Sequence, residues 1–451
     1  MAILPKNTTV AIDITDLTEH GDGVGRWENL VVFVPGTVPG DRLEAVLTEI
    51  KPKFARGKVQ RLVTPSPHRV RPRCMVADKC GGCDWQALDY AAQLQLKQTQ
   101  VTQTLHRIGG FGPEAIAPIR GAAAPYRYRN KATFPLVAGE QGLKAGYYQR
   151  GSHRLINLNA CPVQDERLDV FLAEIKHDLG QRGWTAYNET TRQGQLRHLS
   201  LRVGRRTGQI LLTLVATTDR LPGAPAQAQA WLDRYPTLKG VLLNVQPQPT
   251  NTILGPVTHC LAGQDWIEEH FAGLVLRLRG DAFFQVHTEQ AEALVAELDD
   301  RLALQPHETL LDAYAGIGTL VLPLAARVQR AIALERNPQA VQQGRQNAAL
   351  NGITNVEFQV GAVETGLPQL PQIPEVVVLD PPRKGCHPAV IAALRERPPQ
   401  RLAYVGCHPA TLARDLAQLC ADDRFRLIYV RPYDFFPQTH HVETLALLTR
   451  S

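Results

Sequence analysis

The chain has 451 residues, 44% of them hydrophobic and 20% charged, with a net charge of +6, the balance of a folded protein with more than one core. No run of 18 apolar residues and no charged-then-apolar leader occurs, which argues against a membrane span or secretion signal and for the cytoplasm. In that reducing compartment the eight cysteines read as metal ligands, catalytic thiols or core residues, not as disulfides.

Residues 6–64 hold short alternating runs, VAIDITDL, LVVFVPG, DRLEAVLTEI and GKVQRLV, set off by Gly and Pro turns. They predict a small, OB-like β-barrel, domain 1–66. The Pro-rich link TPSPHRVRPR then leads to Cys74. Domain 67–285 mixes a helical stretch, YAAQLQLKQTQVTQTLHRI, with apolar runs such as LRHLSLRV and GQILLTLVATT, and reads as α+β. Domain 286–451 alternates strand and helix: TEQAEALVAELDDRLAL, ETLLDAYAGIG, LVLPLAARV, RAIALE, NPQAVQQGRQNAALNG, VEFQVG, EVVVLDPP, HPAVIAALRE, RLAYVGC, PATLARDLAQL and RFRLIYVRPYDFF. Unbroken Val/Ile/Leu strands between amphipathic helices predict a parallel sheet covered on both faces, an α/β doubly wound, Rossmann-like domain. Its ligand belongs at the carboxyl ends of the strands.

Charge is unevenly placed. Lys51 to Arg73 carries eight Lys/Arg and no acid, and Arg120 to Arg154 interleaves Arg127, Arg129, Lys131, Lys144 and Arg150 with Tyr126, Tyr128, Phe134, Tyr147 and Tyr148. One basic run is as readily a solvated surface, but two of them around a cysteine cluster suit phosphates and unstacked bases.

The strand ending at Asp312 runs into Tyr314-Ala315-Gly316-Ile317-Gly318, and the next strand ends at Glu335. Glycines permit close backbone approach, and a strand-end acid can accept hydrogen bonds from ribose hydroxyls. A nicotinamide site would want a third glycine at position 321, which is Val321. Asp380-Pro381-Pro382-Arg383 follows another hydrophobic strand. Methyltransferases of exocyclic amines place an aromatic after that turn, so Arg383 points to a different acceptor atom. Uracil C5 is such an acceptor, and it needs a thiolate added at C6 before it can attack a methyl group. Cys407, between the strand RLAYVG and a helix opened by Pro409, is the candidate nucleophile, with its thiolate favoured by the helix N-terminus. Cys386 is the rival; Cys260 and Cys420 read as small buried hydrophobes. Loss of the C5 proton calls for a base, and Glu443 in Phe436-Pro437-Gln438-Thr439-His440-His441-Val442-Glu443 is the best candidate, with the histidines competing.

This ordered set resembles the RNA uracil-5-methyltransferase family, its ribosomal 5-methyluridine branch, over nearly the whole chain. The matching features are a TRAM-like barrel, Cys74-x5-Cys80-x2-Cys83, Arg129-Asn130-Lys131, Phe283-Phe284-Gln285-Val286, the Asp312 to Thr319 loop, Asp380-Pro381-Pro382-Arg383-Lys384-Gly385, the Cys407 turn with Pro409-Ala410-Thr411, and the C-terminal Phe-Pro-x-Thr-x-His-x-Glu. The resemblance implies methylation of a uridine in RNA, 23S rRNA in particular, with Cys407 as nucleophile and Glu443 as base. It places Gln285, Tyr314, Glu335 and Asp380, beside Gly316 and Gly318, at an S-adenosylmethionine site. It also implies a 4Fe-4S cluster on Cys74, Cys80, Cys83 and Cys161, although four thiolates suit zinc equally well on chemistry alone. Around Cys407 the chain departs from the family's frequent Ser-Cys-Asn/Asp-Pro, with Gly406 and His408.

Other readings are a transfer RNA uridine methyltransferase, a radical S-adenosylmethionine methylthiotransferase, which would use Cys-x3-Cys-x2-Cys, and a non-catalytic RNA-binding protein, which would not need Cys407, Glu443 and Asp380 together. Nothing points to an obligate protein partner. Because the Lys51 to Arg73 stretch is purely basic, RNA affinity measured by filter binding should fall steeply with salt through counterion release. Deleting residues 1–64 should weaken RNA binding but spare cofactor binding; unchanged RNA affinity would remove the barrel from the RNA interface.

Overall fold

The computed structural model describes residues 7–18, 21–140 and 142–451; the opening segment read above for a leader, and the first residue of the predicted barrel, lie outside them. The chain divides into two compact units. One runs to Gln100 and takes in Tyr147–Ile156 and Phe436–His441; the other holds Val101–Gly146, Asn157–Phe435 and Val442–Ser451.

The first unit contains a closed barrel in the order β1-β2-β3-β5-β4. Its strands are β1 (Thr9–Leu17), β2 (Gly23–Trp27), β3 (Leu30–Val34), β4 (Arg42–Ile50) and β5 (Phe54–Thr64). Alternation turns Val10, Ile12 and Ile14 inward against Val32, Val34, Leu43, Ala45 and Leu47. The sequence pattern marks four of these strands and passes over β2, GVGRW. A Cβ on Gly23 would lie 1.8 Å from Thr37 Oγ1, and one on Gly25 2.2 Å from Ile12 Cγ2. Close packing in the barrel therefore requires glycine where strand propensity disfavours it.

Part of the basic stretch serves this unit internally. Buried Asp41 accepts hydrogen bonds from Val38 N (2.7 Å), Ser66 N (2.9 Å) and the Arg69 guanidinium (2.5 Å). Burial alone would raise its carboxyl, but these bonds hold it below the usual range. Arg61 pairs with Glu44, and Lys51 and Arg56 with Glu49. The local positive field is thus smaller than the sequence count suggests.

A helix, Tyr90–Gly109, follows as the sequence predicts. The central sheet has the order β12-β11-β10-β9-β6-β7-β8, with β6 Lys131–Gly139, β7 Gly142–Tyr148, β8 Leu155–Asn157, β9 Leu196–Val203, β10 Ile210–Ala216, β11 Leu238–Val245 and β12 Val257–Gly263. Strands β9 and β10 are buried along almost their whole length, because the helices Arg167–Gln181 and Ala224–Arg234 and the hairpin β13–β14 (Trp266–Phe271 and Leu274–Arg279) pack on the sheet.

The last sheet has the order β17-β16-β15-β18-β19-β21-β20, with β15 Thr309–Ala313, β16 Arg330–Glu335, β17 Val356–Val360, β18 Val376–Leu379, β19 Arg401–Gly406, β20 Phe425–Tyr433 and β21 Glu443–Arg450. The first five run parallel, as expected of a doubly wound domain. The parallel sheet is extended by β21, which pairs antiparallel with both β19 and β20. The segment LVLPLAARV forms only one short turn of helix, Val321–Leu324, and a 3-10 turn. No helix among the described residues is long and apolar enough to cross a membrane.

Candidate active site

Strand order reverses beside β15, and in such sheets ligands bind off the carboxyl ends at that point. Asp312 lies within β15, Glu335 ends β16, Asp380 follows β18 and Cys407 follows β19. Glu443 opens β21, which runs the other way, so it reaches the same end of the sheet. Val405 pairs with Leu445 and Gly406 with Thr444, so the next step in register sets Cys407 across from Glu443.

The loop after β15 is shaped for a close-fitting guest. Tyr314 has a φ of 72°, a left-handed conformation costly for a bulky residue, and Gly316 and Gly318 have φ values of 57° and 90°. Tyr314 N and Ala315 N both donate to Leu334 O at 3.0 Å, and Gly316 N donates to Glu335 Oε2 at 3.0 Å. A Cβ on Gly316 would meet nothing within 4 Å, so the turn borders open space. Gln285 is held from behind: Asn130 Nδ2 donates to Gln285 O (2.8 Å) and Thr288 Oγ1 (3.0 Å).

Electrostatics indicate which guest fits. Asp312 accepts from Val321 N at 3.1 Å, and its other carboxyl oxygen is buried without a partner. Burial, then Asp380 and Glu335, push its carboxyl well above the usual range. Burial lifts Asp380 to about 7. Burial, then Asp380, raises Glu443, with Arg383 acting in the opposite sense. Acids held together in low dielectric favour a cationic ligand. S-adenosylmethionine carries a sulfonium and an ammonium, and with Gly316 open and Glu335 at the strand end the residues present fit it.

The thiol of Cys407 departs from the sequence expectation. Burial first, then Glu443 and Asp380, push it up to about 11, while Arg383 draws it down. His408 caps the helix that follows, its Nδ1 accepting from Thr411 N at 3.4 Å, and so takes up a cap role suited to Asn or Asp. Gly406 is tightly packed, since a Cβ there would lie 3.2 Å from Leu412 Cβ. The rival Cys386 is buried, shares hydrogen bonds with Tyr404 and Tyr314, and is pushed by burial up to about 12, which suits a structural thiol. The rival base His440 pairs with Asp84 (2.7 Å) within the first unit.

Cys74, Cys80 and Cys83 lie in the first unit and Cys161 in the second. Burial, and after it the nearby Cys74, raises the Cys80 thiol. Among the described residues no three His, Cys, Asp or Glu side chains form a group that could hold a metal ion. The expected iron–sulfur cluster therefore finds no support. Sequence reasoning also passed over Arg414 and Asp415, which with Thr411 bind the Arg383 turn; the available signal was an acid on the apolar stripe Leu412, Leu416, Leu419.

A doubly wound sheet with an acidic, glycine-lined cleft beside a thiol and a facing carboxyl defines a methyltransferase that uses S-adenosylmethionine. A TRAM domain model matches residues 6–60, a methyltransferase domain model 304–392 and a tRNA (uracil-5-)-methyltransferase model 372–451. An uncharacterized RNA methyltransferase of Nostoc sp. is 55% identical over 98% of this chain and 96% of its own, and one of Bacillus cereus 37% identical over 99% and 97%. The crystal structure of Pyrococcus abyssi tRNA (uracil-54, C5)-methyltransferase with S-adenosyl-L-homocysteine matches at a TM-score of 0.77 and 25% identity, over 98% of this chain and all of that one. The chain belongs to the S-adenosylmethionine-dependent RNA uracil-5-methyltransferase family.

The raised pKa of Asp380 predicts a cost to the unliganded fold. A carboxyl that binds its proton more tightly when folded contributes its full stability below the unfolded value, and that contribution is lost as pH rises toward the folded value. Moving from 3.8 to about 7 corresponds to on the order of 4 kcal/mol. Thermal unfolding should therefore show Asp380→Asn gaining on the wild type as pH rises from about 4 and levelling off above about 7, while calorimetry shows it losing S-adenosylmethionine affinity. Equal melting temperatures across that range would refute the strained carboxylate.

Proposed function

We propose that this protein methylates C5 of a uridine in RNA by covalent catalysis through Cys407 and Glu443. The observation that carries it is the antiparallel register that sets the thiol across from the carboxyl at the cofactor end of the sheet. S-adenosylmethionine, held by Gln285, Tyr314, Gly316, Gly318, Glu335 and Asp380, supplies an electrophilic methyl group. Cys407 loses its proton to solvent and adds as thiolate to uracil C6, placing the C5–C6 electron pair on the C4 carbonyl oxygen as an enolate. Collapse of the enolate lets C5 take the methyl group as its bond to the sulfonium sulfur breaks, leaving S-adenosylhomocysteine. Glu443 then removes the C5 proton, the C5–C6 double bond re-forms and Cys407 leaves as thiolate. A carboxyl with raised proton affinity is a stronger base than an exposed one, which suits it to this last step. Arg383, which favours the thiolate and the ionised Glu443 alike, offsets the cost of charging them.

The substrate is 23S rRNA by resemblance to the ribosomal branch. The Pyrococcus abyssi neighbour, whose name gives tRNA uracil-54, supports transfer RNA as a second reading. Mapping 5-methyluridine in both RNAs from cells with and without the gene decides between them: loss from 23S rRNA alone supports the first, and loss from transfer RNA alone the second.

Denaturing electrophoresis with labelled RNA tests the division of labour. Cys407→Ala should give neither adduct nor product. Glu443→Gln should accumulate a methylated protein–RNA adduct with turnover reduced on the order of a hundredfold or more. An adduct that persists in Cys407→Ala and vanishes in Cys386→Ala would move the nucleophile, and full turnover by Glu443→Gln would remove it as the base.

A further inference from the structure

Three of the four residues that follow the Asp380-Pro-Pro turn are bound to one face of the helix Pro409–Leu419. Thr411 Oγ1 donates to Arg383 O (3.1 Å), Arg414 Nη2 to Lys384 O (2.9 Å), and Cys386 N to Asp415 Oδ2 (2.8 Å). Between them, Gly385 has a φ of 80°, and a Cβ there would lie 2.5 Å from both Arg414 Nη2 and Asp415 Oδ2. Positions 411, 414 and 415 are the i, i+3, i+4 face of a helix. Asp415 is the centre of this arrangement. It is 1% exposed, accepts Tyr404 OH on Oδ2 (2.7 Å) as well, and holds the Arg414 guanidinium on Oδ1 (2.7 Å). Through Cys386, which shares hydrogen bonds with Tyr404 and Tyr314, the same network reaches the cofactor loop.

We propose that Asp415 is a positioning residue that, through Arg414 and Cys386, fixes the Arg383 turn beside Cys407 and Glu443. Asp415 does not face the reacting atoms. It determines where the guanidinium of Arg383 stands, and that guanidinium is the cation that favours ionisation of both Cys407 and Glu443. A neutral side chain at position 415 would leave the buried Cys386 N–H without its acceptor or the exposed Arg414 guanidinium without the carboxylate that holds it, and the turn would move to resolve it. The inference rests on Cys407 and Glu443 as the reacting pair, but part of its test needs no RNA.

The experiment follows iodoacetamide labelling of the Cys407 peptide against pH by mass spectrometry in the wild type, Asp415→Ala and Asp415→Asn, with steady-state kinetics alongside. In Asp415→Ala the labelling midpoint should rise by about one pH unit, slowing alkylation roughly tenfold at neutral pH. The kcat should fall by about tenfold while KM for S-adenosylmethionine stays within about twofold. Asp415→Asn, which keeps an acceptor for Cys386 N–H and loses the charge that holds Arg414, should lie between them and carries the test if the alanine variant does not fold. A folded variant with unchanged midpoint and kcat overturns the proposal, as does a loss of kcat that follows melting temperature with the midpoint unmoved. A failed nucleophile assignment would appear instead as an RNA adduct in Cys407→Ala, so the two failures are separable.

Discussion

The pairing of β19 with β21 is the constraint on which the site depends. Because β21 runs antiparallel, its first residue comes to the same end of the sheet as the last residues of β15, β16, β18 and β19. A parallel strand in that place would put Glu443 at the far end. A slip of one residue would turn it to the opposite face. Burial of nearly every side chain of β21 makes such a slip costly, so the core that stabilises the sheet also sets the distance between thiol and carboxyl.

Placing Asp312, Asp380 and Glu443 at one end of a buried sheet strains their charged forms. The fold sustains this because its core is extensive, from Leu311 and Val377 through Leu402 to Ala446 and Leu448. Stability is given up locally where the cofactor's positive charge is to be received. The same strain raises the Cys407 thiol, so the unliganded protein holds it in the less reactive form.

Much of this was legible because the relevant signals are local. Val/Ile/Leu runs mark β15, β16, β18 and β19, and Gly, Pro and Cys sit where turns and chemistry need them. What was not legible depends on partners distant in sequence. ETLALLTR is an apolar run without strict alternation, and nothing in its own residues says that it inserts between β19 and β20. The β2 strand is hidden by glycines whose purpose is visible only once Thr37 and Ile12 stand against them. The acidity of Cys407 could not be read from a helix N-terminus alone, since the opposing charges arrive from Asp380 and Glu443. Asp415 looks like an ordinary helix residue until the Cys386 and Tyr404 contacts are seen.

The place of β21 also bears on how the protein is made. In chain order it follows every other strand of its sheet, yet it lies in the interior, between β19 and β20. During synthesis β19 and β20 emerge before the strand that joins them, and each exposes an unpaired edge in the interval. Completion of the sheet thus depends on a late, non-local pairing, the slow kind of step in folding. That step also brings the Glu443 carboxyl to the end of the sheet where Cys407 lies, so a nascent chain cannot bring the two together before its sheet is closed.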